Sequence, residues 1–276
     1  MPLSQEFHLS NLPSFGLSIR NVIKVETTNS SGYLFDAFSL SRQSRPQSYI
    51  LADTLLRLRE KRQEYKDVVI LHDDVHEQFF FVHAPLLLER CHQEFGIKPL
   101  DNEEAKTPNL QRYTNFILLD DQPRVLHEIP QDVRSLFEVL CPVLHAAISG
   151  PSPIEFIVIP SPHELSIQDI VPFAAIILEY PVAYVPLSAE QDSFLPWEVL
   201  DVYECVLLMD GSGGTKMEHV MCKFSCPECL SHHGALQVSQ LRTRLKDLFS
   251  ARLMQVDVQG QVEVRHHQET HERVAL

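Results

Sequence analysis

Three short runs in this chain are apolar at every position: VVIL at 68–71, FILL at 116–119 and FIVI at 156–159. A strand with one wet face alternates apolar and polar residues, so an unbroken run of this length belongs to a strand covered on both faces. Double coverage needs other elements to supply it, and the segments between the runs carry them. Leu51, Leu55 and Leu58 recur at helical spacing within 48–62, Leu87, Cys91 and Phe95 within 85–95, and Val133, Leu136, Phe137, Leu140 and Leu144 within 131–148. Strand and helix thus alternate in units of roughly 30 residues, the pattern of a sheet with helices on its faces. The expected class is α/β. A parallel or mixed sheet is flanked by helices, and the three runs are its interior, mostly parallel strands.

Local punctuation places further elements. QFFFV at 78–82 and VAYV at 182–185 read as strands, and YLFD at 33–36 as a short one. Pro85 suits the first turn of a helix that Gly96 closes, and Pro142 should kink the helix ending at Gly150. Ser166 with Asp169 forms a capping box for a helix that stops before Pro181. Residues 202–208 and 219–225 are expected to pair around the loop Asp210 to Lys216. Val238, Leu241, Leu245 and Leu248 mark a last helix, and VDV at 256–258 with VEV at 262–264 reads as a hairpin turning at Gln259-Gly260. The chain therefore ends in a β-rich segment, a helix and a hairpin. Residues 97–114 read as a long surface loop. One domain over 16–265 is expected, between a flexible N-terminus at 1–15 and a flexible tail at 266–276 that lacks apolar periodicity.

Charge and cysteine usage narrow the function classes. The formal net charge of −14 disfavours direct nucleic-acid binding and attachment to an anionic membrane, since phosphate recognition needs a basic face. The most apolar stretch, Pro172 to Leu187, holds Glu179 and internal prolines, so no membrane span is expected. The first residues show no basic segment followed by an apolar run, so no secretory leader is expected either. The six cysteines are not spaced as a disulfide framework, and a cytoplasmic or nuclear setting with reduced thiols follows.

Two constellations carry chemistry. Three apolar strands run into aspartate: Asp36, then Asp73-Asp74, then Asp120-Asp121. Ligand crevices form at the carboxyl ends of parallel strands, and carboxylates gathered there suit Mg²⁺ or Mn²⁺, with His72 and His76 as neighbouring bases and Arg124 as a basic neighbour. Against this, aspartate also commonly closes strands and caps helices. The second constellation is Cys226, Cys229, His232 and His233, preceded by Cys222. These are soft ligands for tetrahedral zinc, but there is no second CxxC, and Cys222 reads as a strand residue, so thiols at a strand end plus a surface His pair is the simpler account. Gly211 to Lys216 lacks the phosphate-loop order and reads as a hairpin loop. Trp197, in FLPWEVL, reads as a core or rim anchor rather than a stacking platform.

YLFD, VVILHDDV at 68–75, FILLDD at 116–121, IILEYPVAYV at 176–185 and FSCPECL at 224–230 together resemble the uncharacterised eukaryotic family typified by the human product of chromosome one open reading frame seventy-four. The likeness runs over residues 20–265, with Glu179 standing where the family pattern has glycine before Tyr180-Pro181. It implies one intracellular α/β domain and assigns no residue a role. Two functions follow. The favoured one is a non-catalytic intracellular adaptor or scaffold domain with a protein partner. The alternative is a divalent-metal-dependent enzyme acting on a phosphorylated or other anionic substrate at the aspartate-lined sheet edge. No motif calls for a cofactor, and Mg²⁺ or Mn²⁺ enters only with the second reading.

Overall fold

The computed structural model describes residues 32–34, 47–97, 113–150, 156–161, 164–191, 193–210, 216–255, 260–272 and 274–275. In chain order the elements are β1 Gly32–Leu34, α1 Gln47–Lys61, β2 Val68–Asp73, β3 Gln78–His83, α2 Ala84–Phe95, β4 Asn115–Leu119, β5 Arg124–Val125, α3 Gln131–Ser149, β6 Phe156–Val158, α4 Ile167–Ile177, β7 Val182–Pro186, β8 Ser193–Phe194, β9 Val199–Asp210, β10 Lys216–Pro227, α5 Val238–Gln255, β11 Gln261–Thr270 and β12 Val274–Ala275. The class is α/β with mixed and antiparallel sheets. Among the described residues, no helix is long and apolar enough to cross a membrane.

The first sheet has the order β1-β3-β2-β6, with β2 and β6 parallel and the other pairs antiparallel. Its two faces explain why residues 68–71 of β2 are apolar without a break. Val68 and Ile70 pack with Leu51 and Leu55 of α1 and with Tyr65 and Phe79. Val69 and Leu71, with Phe80 and Val82 of β3, face the core built by Leu87 of α2, Leu140 of α3 and Phe173 of α4. The helices begin and end as their sequences direct. His83 Nδ1 accepts from the Leu86 amide at the start of α2, and Gly96 closes it at φ 70°, a left-handed backbone that glycine adopts without cost. Asp169 accepts from both the amide and the hydroxyl of Ser166 at 2.9 and 2.7 Å, fixing the entry to α4.

The second sheet, β5-β4-β7, pairs β4 and β7 in parallel. VVIL, FILL and FIVI are all strands, but FILL does not share a sheet with the other two, and FIVI is an edge strand on which Val158 is 49% exposed, not an interior one. An apolar run says nothing about which strand supplies the hydrogen bonds. For β4 one cover is helical: Phe116 joins the first core with Ala183 and Val185 of β7. The other is the third sheet, β10-β9-β11, with α5: Ile117 and Val182 pack with Tyr203, Leu207, Leu241 and Leu245. The second sheet is thus the partition between two cores.

One expectation for the C-terminal region changes. β11 pairs antiparallel along β9, from Gln261 opposite Leu208 to Thr270 opposite Val199; residues 256–259, the other arm of the expected hairpin and part of its turn, lie outside the described residues. Gly260 answers a close approach: a Cβ there would meet Leu207 Cδ1 at 2.7 Å and Leu208 O at 2.9 Å. Residues 266–270, expected in a flexible tail, complete β11, and β12 pairs with β8. The face that begins with the buried Val262 and Val264 continues with the half-buried His266 and the exposed Gln268, whose nitrogens lie 2.9 and 3.1 Å from Oδ1 of the enclosed Asp201. Polar residues stand on this face because they engage a buried carboxylate, which erases the apolar period. The N-terminal segment 1–15, Asp36 and the loop at 98–112 lie outside the described residues.

Candidate functional site

The aspartates take separate places. Asp73 is fully enclosed in the β2–β3 turn, where Oδ1 accepts from the Val75 and His76 amides at 3.1 and 3.2 Å and Oδ2 lies 2.7 Å from His76 Nδ1. Both oxygens are committed to closing the hairpin. Asp74 is exposed in the same turn, and His72 lies against Phe79, ring centroids 4.4 Å apart. Asp120 and Asp121 are exposed beyond β4 in the second sheet; Asp120 accepts from the Asp121 amide at 2.8 Å, and Arg124 is exposed opposite Leu118. The two pairs therefore belong to different sheets. A cleft of about 330 Å³ opens at the carboxyl end of β7, but its walls are Asp132, Val133, Glu164, Ser166 and Asp169. Among the described residues no three His, Cys, Asp or Glu side chains stand together as a metal site.

In the cysteine segment, Cys222 lies in β10 directly opposite Cys205 of β9, as its strand reading required. Cys226 is enclosed, with its Sγ 3.7 Å from the Pro227 carbonyl, whereas Cys229 is exposed and hydrogen-bonded to the Glu198 side chain. Burial and that carboxylate push the Cys229 thiol up to about 11. His232 and His233 are exposed neighbours with ring centroids 6.4 Å apart.

Of the two places the sequence allowed Trp197, core or rim, the structure excludes the core: the residue is 67% exposed. The loop that carries it is anchored beneath: Phe194 and Leu195 are enclosed with Leu119, Leu200 and Val202. Leu195 and Trp197, on either side of Pro196, have φ 51° and 62°. An L-residue in the left-handed region costs about 1–2 kcal/mol, and two in three positions persist only because surrounding contacts hold them. One such contact is the Trp197 amide donating to the His271 carbonyl at 2.9 Å, which ties the loop to the end of β11.

The end of β11 that meets this loop is polar. Glu269 lies between two imidazoles, 2.6 Å from His267 Nε2 and 2.9 Å from His271 Nε2. Those bonds, His267 first, hold its carboxyl below the usual range. Glu198, next to Trp197 in the chain, interacts with Cys229. Val199, two residues after Trp197, is 38% exposed.

A second polar constellation is internal. Arg90 and Glu94 of α2 pair at 2.9 Å while almost fully enclosed, and Glu94 accepts from the Tyr113 and Thr114 amides at 3.1 and 2.8 Å. The Tyr113 ring lies between the guanidinium carbons of Arg90 and Arg244, 3.8 and 4.3 Å from its centroid, and burial raises its phenol well above the ordinary range. Arg252 of α5 grips Glu179 through both carboxylate oxygens. These groups fasten α5 to α2 and to the turn before β7. The sequence signals were present in Arg90 and Glu94, which fall on the same helical face as Leu87, Cys91 and Phe95, and in Glu179 within an apolar stretch. No family model matches the chain, and neither a curated protein nor a solved structure matches it.

Proposed function

We propose that this chain is a non-catalytic adaptor or scaffold domain of the cytoplasm or nucleus, and that it holds a protein partner through the Trp197 loop. The observation that carries the reading is a largely exposed tryptophan presented by two left-handed residues over an anchored base. Tryptophan is among the side chains most enriched at the energetic centre of a protein interface. Strain at Leu195 and Trp197 preorganises the indole, which lowers the entropy lost on binding. The aspartate-based enzyme reading has no comparable support, because its acids stand in two sheets and Asp73 is committed to a turn. The family resemblance agrees with an intracellular domain and adds no chemistry.

The test places a photo-crosslinking amino acid at Trp197 in cells. A dominant protein adduct that is absent when the probe sits at Leu56, exposed on α1, supports the reading. With that partner in hand, Trp197→Ala should weaken binding by about thirtyfold, as loss of a hot spot worth about 2 kcal/mol does. Indiscriminate labelling from both positions would sink the proposal. A melting temperature raised by Mg²⁺ or Mn²⁺, with the gain lost in Asp74→Asn plus Asp120→Asn, would favour the enzyme instead.

A further inference from the structure

The thiols of this chain meet in pairs. Cys91 of α2 is hydrogen-bonded to Cys141 of α3, and Cys222 of β10 to Cys205 of β9. We propose that Cys205 and Cys222 form a redox site: a small peroxide converts them to a cross-strand disulfide on the inner face of the β9–β10 pair, and a thiol reductant restores them.

The register carries the proposal. Cys222 stands directly opposite Cys205, so both side chains leave the same face, where they pack in one cluster with Leu207 and Phe224. Directly opposed antiparallel residues have Cα atoms about 4.5 or about 5.5 Å apart, depending on whether the pair is hydrogen-bonded. Both values fall inside the range of about 4.4–6.8 Å that a disulfide spans. The bulge between Val220 and Cys222 lets β10 adjust locally as the bond closes. Cys205 is also close enough to raise the Cys222 thiol.

Access sets the order of events. Cys205 is fully enclosed and Cys222 is half-buried, so a small oxidant meets Cys222 first. The Cys222 sulfur attacks one peroxide oxygen, the O–O bond breaks, and a sulfenic acid and one water result. The Cys205 sulfur then attacks Cys222 Sγ. The S–S bond forms, the S–O bond breaks, and the departing hydroxide leaves as a second water with the Cys205 proton. Two thiols and one peroxide become one disulfide and two waters. The bond to Cys205, together with burial, holds the Cys222 thiol above its ordinary value, so the reaction is slow. The other cysteines lack one requirement each. Cys91 and Cys141 are both enclosed, and Cys229 is exposed but follows an enclosed Cys226.

The experiment treats the purified full chain with hydrogen peroxide over a time course, alkylates it under denaturing conditions, and maps it by mass spectrometry without reductant. The expected product is a Cys205–Cys222 linked peptide pair and a chain lighter by two hydrogens, both reversed by dithiothreitol. The link should persist in Cys229→Ser and be absent in Cys222→Ser. If Cys222→Ser does not fold, the wild-type map alone decides. Two freely alkylated thiols at the end of the time course, a sulfinic acid at Cys222 beside a free Cys205, or a bridge from either residue to another cysteine would overturn it. The outcome is independent of the Trp197 reading, which concerns a different surface.

Discussion

Glu179 shows what a single residue can hold at an energetic cost. It sits just past α4 at φ 58° and is 2% exposed, and its Oε1 accepts from Arg252 at 2.8 Å. Removing one member of a buried ion pair costs about 3–5 kcal/mol, with the lower end apt here because the Arg252 side chain keeps 17% of its exposure. Relief of the left-handed backbone returns about 1 kcal/mol to glycine and nothing to alanine. Glu179→Ala should therefore lower the urea unfolding free energy by about 3 kcal/mol and Glu179→Gly by about 2. The reverse order would show that the backbone is not strained. A second residue-scale consequence lies at Cys229, whose thiol stands at about 11 through burial and its bond to Glu198. Only the thiolate alkylates, so iodoacetamide should label Cys229 slowly at pH 8.5 despite its exposure. Glu198→Gln should speed that labelling; an unchanged rate would mean that the carboxylate does not hold the thiol.

Elements were legible where the signal was local. The periods of α1, α2, α3 and α5, the cap residues Ser166 and Gly96, and the apolar runs of β2, β4 and β6 all depend on neighbours in sequence. The local β9–β10 pair was legible from the loop between its arms, but distant partners were not, because pairing β4 with β7 or β11 with β9 depends on contacts far apart in the chain. The polar residues that continue the inner face of β11, and the choice between core and rim for Trp197, were hidden for the same reason: each is set by what stands opposite in space. Capping makes a further prediction. Burial lowers the His83 pKa below its ordinary value, with Asp67 opposing, and its Nδ1 must stay unprotonated to accept the Leu86 amide. The folded state thus binds this proton less well than the unfolded state. The contribution is complete above about pH 6.5 and declines as pH falls from there toward the lower folded-state value. His83→Asn keeps a capping acceptor that does not titrate. Between pH 7 and pH 5.5, the urea midpoint of the wild type should fall further than that of His83→Asn; parallel curves would remove His83 from the account.

At the scale of the molecule, the second sheet decides whether the two cores behave as one. Phe116 and Ala183 belong to the first core, while their chain neighbours Ile117 and Val182 belong to the second, so β4 and β7 cannot leave one core and remain in the other. The internal polar groups act in the same sense, since Arg252 of α5 is tied to the turn that follows α4. Separation would expose the apolar inner faces of both sheets and strand Glu179 and Arg252 without partners, each a large loss beside a typical total stability of about 5–15 kcal/mol. The chain should therefore unfold in a single step. Two probes report on different halves: far-ultraviolet circular dichroism is dominated by the helices, four of which pack on the first sheet or its core, and fluorescence by the sole tryptophan, Trp197, beside the third sheet. Their urea transitions should coincide in the wild type. Ile117→Ala removes a fully enclosed side chain from the second core only, and it should cost about 2–5 kcal/mol. If the partition couples the cores, both transitions shift together by the same amount. If only the fluorescence transition moves, β4 is a boundary between two independently folding halves.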